Sequence, residues 1–146
     1  MLIRNILEES ARKFDVVKAV KWLNKKEIME RSYGELMENV GFTRKGLLAE
    51  GFEGKHIALI GTSSVEWMES YLGIITGCTT AVPLDAALPC EDLIDLLNRS
   101  DSAALFLSPK LRPYLDAFLG NCTKLQKVWM LQEEVEDAPA KVYGIG

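Results

Sequence analysis

Three hydroxyls in a row, on Thr62, Ser63 and Ser64 behind Gly61, stand between the apolar run HIALIG and a segment with helical spacing. Hydroxyls and the free amides of a helix start can hold a phosphate, and in parallel α/β sheets ligands bind beyond the carboxyl ends of the strands. The turn is therefore a candidate nucleotide or phosphate cradle. It lacks both G-x-G-x-x-G and G-x-x-x-x-G-K-[ST], so neither the dinucleotide fingerprint nor the P-loop is present. Ser63, with Glu66 three residues on, instead predicts a reciprocal capping box, in which both polar side chains are used in starting the helix.

The remaining candidates weaken in the same way. His56 is the single histidine, beside Lys55 at a strand entrance and without a local Asp or Cys, which argues against a triad or a zinc site. Glu66 and Glu69 are spaced as an acid and base pair would be on a helix, but read as a cap and a solvated flank, with no sign of a raised pKa. Trp67, with Tyr71 and Ile74, has the spacing of a core stripe rather than of an apolar ligand pocket. Ser108-Pro109 reads as a cap followed by proline at the first helical position. Cys78, Cys90 and Cys122 are odd in number and form no C-x-x-C, as expected of reduced, semi-buried thiols in an intracellular protein. No residue is assigned a catalytic, cofactor-binding or metal-ligating role.

The elements that position these residues fall into three regions. A chain of 146 residues, 48% hydrophobic, is one domain's length and buries roughly two-thirds of its unfolded surface. Its net charge of −4 disfavours nucleic acid and anionic membranes as partners. Tyr71 to Leu84 is too short and too broken to span a bilayer, and MLIRNILEESARKF is too charged for a signal peptide, so a cytoplasmic protein is expected. Residues 1–54 form a prelude: an amphipathic helix around Ile3 to Phe14, a hairpin of KAVKWL and EIMER, and a helix from Ser32. That helix opens on a Ser32/Glu35 capping box and carries Leu36, Val40 and Leu47 on one face, with Gly41 and Gly46 as points where it splits.

Residues 55–132 alternate between two periods. HIALIG, TTAVPL, SAALFLS and KVWMLQ are apolar runs of the kind that form strands covered on both faces. Ser64 to Gly77, Pro89 to Arg99 and Pro109 to Gly120 have helical spacing, as in Val65, Met68, Leu72 and Ile75, or Leu111, Leu115 and Phe118. Strand, helix, strand repeated with short links predicts an α/β fold: a three-layer α/β/α, open, mainly parallel sheet, preceded by the small helix and hairpin. Residues 133–146, acidic and then rich in small residues, read as a linker or a truncated end.

The order of segments is more specific than any one residue. SYGEL, HIALIG, SSVEW, a helix ending in TGC, and VPLDAALP followed by EDLIDLLNRSDSAALFLS resemble the front end of the AMP-forming adenylate-forming enzymes, over residues 30–132. Ser63 replaces the family's usual Asn, Gly77-Cys78 follows Thr76 rather than Ala, and Ala86 stands where Pro is common. Within that superfamily the chain is most similar to bacterial long-chain fatty-acid CoA ligases. The resemblance implies a carboxylate attacking the α-phosphorus of ATP·Mg to give an acyl-adenylate and pyrophosphate, followed by transfer to CoA. ATP, Mg and CoA would serve the full-length enzyme, and none is expected to bind this chain tightly. The family's phosphate loop, ribose-binding aspartate and terminal lysine have no counterpart here. The chain is thus expected to be the non-catalytic N-terminal subdomain of an acyl-CoA synthetase, partnered by the remainder of the ligase, with a fatty acid or other carboxylate as substrate. A stand-alone nucleotide-binding module using Thr62 to Ser64, and a structural domain that self-associates, stay open as alternatives.

Overall fold

A computed structural model describes residues 2–24, 26–131 and 142–145. Helix α1 (Ile3–Lys13) is held by i,i+4 ion pairs, Arg4 to Glu8 at 2.8 Å and Lys13 to Glu9 at 2.9 Å, and buries none of its residues. Strands β1 (Lys18–Asn24) and β2 (Glu27–Ser32) then pair antiparallel, with Trp22 opposite Met29, as the hairpin reading required. Ser32 ends β2 and caps α2 (Tyr33–Ala49): its hydroxyl accepts from the Glu35 amide at 3.1 Å and donates to the Glu35 carboxylate at 3.2 Å. The Glu35 side chain thus returns to the cap, but to its hydroxyl.

Helix α2 does not split. Two interior glycines cost it about 1 kcal/mol each relative to alanine, yet Leu36, Val40 and Leu47 are each less than 7% exposed. Burying three such side chains contributes roughly 1.5–3 kcal/mol apiece, which outweighs the propensity loss. The chain leaves α2 through Gly51 and Gly54, whose φ values of 80° and 74° lie in the left-handed region that glycine tolerates.

The main sheet is parallel throughout. Its strands β3 (His56–Ile60), β4 (Thr80–Leu84), β5 (Ser102–Leu107), β6 (Lys127–Leu131) and β7 (Val142–Ile145) lie in the spatial order β4-β3-β5-β6-β7. Strand β7 falls in the stretch read as a linker, while residues 132–141 lie outside the described residues. Strand β5 is buried along its whole length and β3 along all but His56, as the unalternating runs predicted. Strand β4 is not: it forms an edge and is only half-buried, and an edge is where Pro83 is tolerated, because alternate amides there face away from the ladder.

Helices cover both faces of the sheet. On one face α2 and α3 (Val65–Ile75) pack Leu47 and Ile74 against Ile57, Leu59, Phe106 and Leu131. On the other, α4 (Cys90–Arg99) and α5 (Leu115–Asn121) pack Leu93, Leu97, Leu115 and Phe118 against Ile60, Leu105 and Val128. The expected helix over Pro109 to Gly120 opens instead as a 3-10 segment, Pro109–Tyr114, before α5 begins. Pro113, which has no amide to donate, lies inside it and prevents an α-helical ladder. Ser108 precedes that segment but makes no side-chain cap bond.

Candidate functional site

Strand order reverses at β3: β4 lies on one side of it and β5 on the other. The crevice between the ends of β3 and β5 is the position where such sheets bind ligands. Here the Ser108 amide donates to the Ile60 carbonyl at 2.9 Å and draws the two strand ends together. A β-carbon on Gly61 would lie 3.0 Å from the Ser108 β-carbon and 3.3 Å from the Trp67 ring. Gly61, Ser108 and Trp67 are thus closely packed at this point, with no room for a side chain on Gly61.

The hydroxyl turn is placed at this mouth, but its chemistry is partly used up. Ser64, not Ser63, is the cap of α3, accepting from the Trp67 amide at 3.1 Å. The helix starts one residue later than the Ser63/Glu66 box implied, because Ser64 has the extended backbone of a cap (φ −152°, ψ 166°). Thr62 and Ser63 are exposed. ATP with its metal would need a glycine-rich cradle and a cation or carboxylate set, and this turn supplies two exposed hydroxyls instead. The residues present do not fit that group. Among the described residues no three His, Cys, Asp or Glu side chains gather as metal ligands.

His56 takes a structural position. Its Nδ1 lies 2.6 Å from the Ser100 carbonyl and ties the start of β3 to the turn before β5, where Asp101 adopts a φ of 54°. Lys124 pairs with Asp101 across the same turn, and its ammonium holds the Asp101 carboxyl below its ordinary range. The cysteines differ in environment: Cys78 is exposed rather than semi-buried, Cys90 is half-buried, and Cys122 is buried, which pushes its thiol pKa up. Trp67 stacks on Tyr71 with centroids 5.3 Å apart and packs against the core, as the stripe reading expected.

Glu69 is where residue spacing misled. The apolar positions Val65, Met68, Leu72 and Ile75 suggested the buried face of α3, but the buried residues are Val65, Glu69, Ser70, Gly73 and Ile74. Glu69 is not a solvated flank; it is 5% exposed and pairs with Arg31 at 2.9 Å. Burial raises its pKa above 4.5; the Arg31 guanidinium and the Asn39 amide pull it back down, and nearby Glu66 pushes it up. Arg31 comes from the hairpin and lies 5.3 Å from the Trp22 ring centroid, so an aromatic face and a carboxylate hold it between β2 and α3. No periodicity in the sequence links Arg31 to Glu69, 38 residues on. The one available signal was a charged residue among apolar ones on a helix covered from two sides.

This pair borders a cavity of about 320 Å³ enclosed by α2, α3 and the β5–β6 surface. Phe106 and Trp129, stacked with centroids 5.0 Å apart, line its sheet side, and Thr43, Phe42 and Gly46 its α2 side. Its volume falls at the lower end of the range for small-molecule sites.

A family model described as AMP-binding enzyme matches residues 7–143. Among solved structures, the coronafacic acid ligase from Pectobacterium brasiliense is 21% identical, with a TM-score of 0.88, over 99% of this chain and 28% of that one. The anthranilate CoA ligase AuaEII, solved with anthranoyl-AMP, is 18% identical with a TM-score of 0.78, over 89% and 25% of the two chains. A Mycobacterium tuberculosis fatty acyl CoA synthetase is 19% identical, also at 0.78, over 88% and 26%. The chain spans about a quarter of the length of each. No curated protein sequence matches it.

Proposed function

Because the chain belongs to the AMP-binding enzyme family, we propose that it is the N-terminal, non-catalytic portion of an ATP-dependent acyl-CoA synthetase. The full enzyme would convert a fatty acid or related carboxylate, ATP and CoA into acyl-CoA, AMP and pyrophosphate in the cytoplasm. The observation that carries this reading is the coincidence of a family match along nearly the whole chain with a switch-point turn that carries no phosphate loop. The fold is that of an adenylating enzyme's first sheet, but the turn at its switch point offers two exposed hydroxyls and no phosphate loop.

On this reading residues 1–132 act as a subdomain that supports the downstream adenylating part, which binds ATP, Mg and CoA. The acyl-CoA product is supported by the names of two of the structures it resembles, an anthranilate CoA ligase and a fatty acyl CoA synthetase. The test is ATP–pyrophosphate exchange with a panel of carboxylates. The chain alone is expected to give none, and the chain joined to the downstream part of its ligase is expected to exchange. Exchange by the chain alone would overturn the non-catalytic assignment, and its absence from the joined protein with every carboxylate would overturn the ligase assignment.

A further inference from the structure

A second cavity, of about 190 Å³, lies between the start of α1, the last turns of α2 and the end of α3. Glu53 and Thr79, just before β3 and β4, border it, so it sits at the opposite end of the sheet from the Thr62 to Ser64 turn. Its wall is mainly apolar, with Leu47 and Leu48 from α2 facing Gly77 and Cys78. The Arg44 stem lies against Gly77, where a β-carbon would be 3.1 Å from Arg44 Cγ, and the missing side chain leaves that part of the wall bare. Three cations, Arg4, Arg44 and Lys45, border this apolar space with one carboxylate, Glu53. Arg4 is held by Glu8 at 2.8 Å, while Arg44 and Lys45 make no ion pair among the described residues. Counting Glu8 and Glu53 against the three cations leaves one positive charge over, in a chain whose net charge is −4.

Apolar walls beneath a positive rim are the complement of a hydrocarbon chain that ends in an anion. We infer that this cavity binds a short alkyl chain with a single anionic head group, typified by a six-carbon carboxylate. The chain lies along Leu47, Leu48 and Gly77, and the carboxylate stays at the rim beside exposed Lys45, still partly in water. At about 30 Å³ for each water-sized group, the cavity holds a chain of about six non-hydrogen atoms. Other ligands match less well. An alkylammonium would meet the surplus positive charge, an alcohol would gain the wall without the charge, and acetate would gain the charge without the wall. The site belongs to this chain and does not depend on the chain being part of a ligase.

Hexanoate is the probe. Titrated into the 146-residue chain and followed by ¹H–¹⁵N NMR, it is expected to shift the Leu48, Gly77 and Cys78 amides saturably, with a Kd of about 1 mM for so small a ligand. Each methylene removed should weaken binding about four-fold, so butanoate binds about fifteen-fold more weakly, while carbons beyond the seventh should add nothing because they find no wall. 1-Hexanol is expected to bind about five-fold and hexylammonium about ten-fold more weakly. Lys45→Glu, at an exposed position, should weaken hexanoate about five-fold and leave 1-hexanol unchanged. Leu48→Glu, where the leucine is 56% exposed, places a carboxylate on the wall and should weaken both at least ten-fold with an unchanged circular dichroism spectrum. The chain should not cosediment with phosphatidylglycerol vesicles, whose acyl chains are longer than the cavity; cosedimentation lost in Lys45→Glu would replace the free acid by a lipid surface and overturn the assignment. Absence of shifts at Gly77 and Cys78, equal binding by hexylammonium, or undiminished hexanoate binding in a folded Leu48→Glu chain would each overturn it as well.

Discussion

Replacing Gly73 by alanine tests how closely α2 and α3 are packed. The added β-carbon would lie 2.5 Å from the Thr43 β-carbon, 2.6 Å from Thr43 Cγ2 and 3.1 Å from the Val40 carbonyl oxygen. Carbon atoms settle at about 3.5–4.0 Å, so the helices must part by roughly 1 Å. No rotamer change relieves this, because a β-carbon is fixed to its backbone and the Thr43 hydroxyl is engaged with the Asn39 carbonyl at 3.4 Å. Overpacking of this kind costs about 1–3 kcal/mol, and a contact fixed to backbone belongs in the upper half of that range. Helix propensity returns about 1 kcal/mol. The net expectation is a destabilisation of about 1–2 kcal/mol, read as a lower urea midpoint at unchanged slope and a melting temperature lower by about 3–6 °C. In a Thr43→Gly background, where the β-carbon and its methyl are gone, the same change should cost nothing or stabilise. A Gly73→Ala chain as stable as the parent, or an equal loss in both backgrounds, would refute the close approach.

Two further outcomes follow from the site. Ser64→Ala removes the α3 cap and should lower stability by about 0.5–2 kcal/mol in urea unfolding, while Ser63→Ala should change it by less than about 0.5 kcal/mol; the reverse order would restore the Ser63/Glu66 box. Glu69 should titrate above 4.5 in carboxyl NMR and higher still in Arg31→Met, which removes the nearby positive charge that lowers it. With the folded pKa raised, the folded state holds that proton more tightly than the unfolded one. The Glu69 contribution to stability is therefore greatest in acid and falls as pH rises from about 4.5 through the folded value, after which it is flat. Subtracting the pH profile of Glu69→Gln isolates this slope, and a rising difference would contradict the burial of the carboxyl.

The sheet was legible because its strands are short apolar runs, and the layered fold followed from their alternation with helical segments. What escaped notice depended on contacts between distant positions. Glu69 shares a helix with Val65 and Leu72, and only the arrival of α2 and the hairpin on its other side makes its face interior. The unbroken α2 has the same origin, since propensity at Gly41 and Gly46 is a local quantity and the burial that overrides it is not. The capping error was smaller: Ser63 and Ser64 are adjacent hydroxyls, and the backbone angle that selects one of them is absent from the residue types. Along the hairpin and α1 the reading succeeded, because their ion pairs and ladder are between near neighbours. The close packing of Gly61 against Ser108 could not have been foreseen, as the two are 47 residues apart.

Pro83 in β4 affects more than its own strand. Along the outer side of β4 an incoming extended chain would look for a regular row of amide donors, and a proline ring both removes a donor from the strand and thickens its margin. Half-buried apolar neighbours such as Val82 and Leu84 would otherwise make this margin a template for fibril growth. A proline on an edge strand works against the edge-to-edge addition of a further strand.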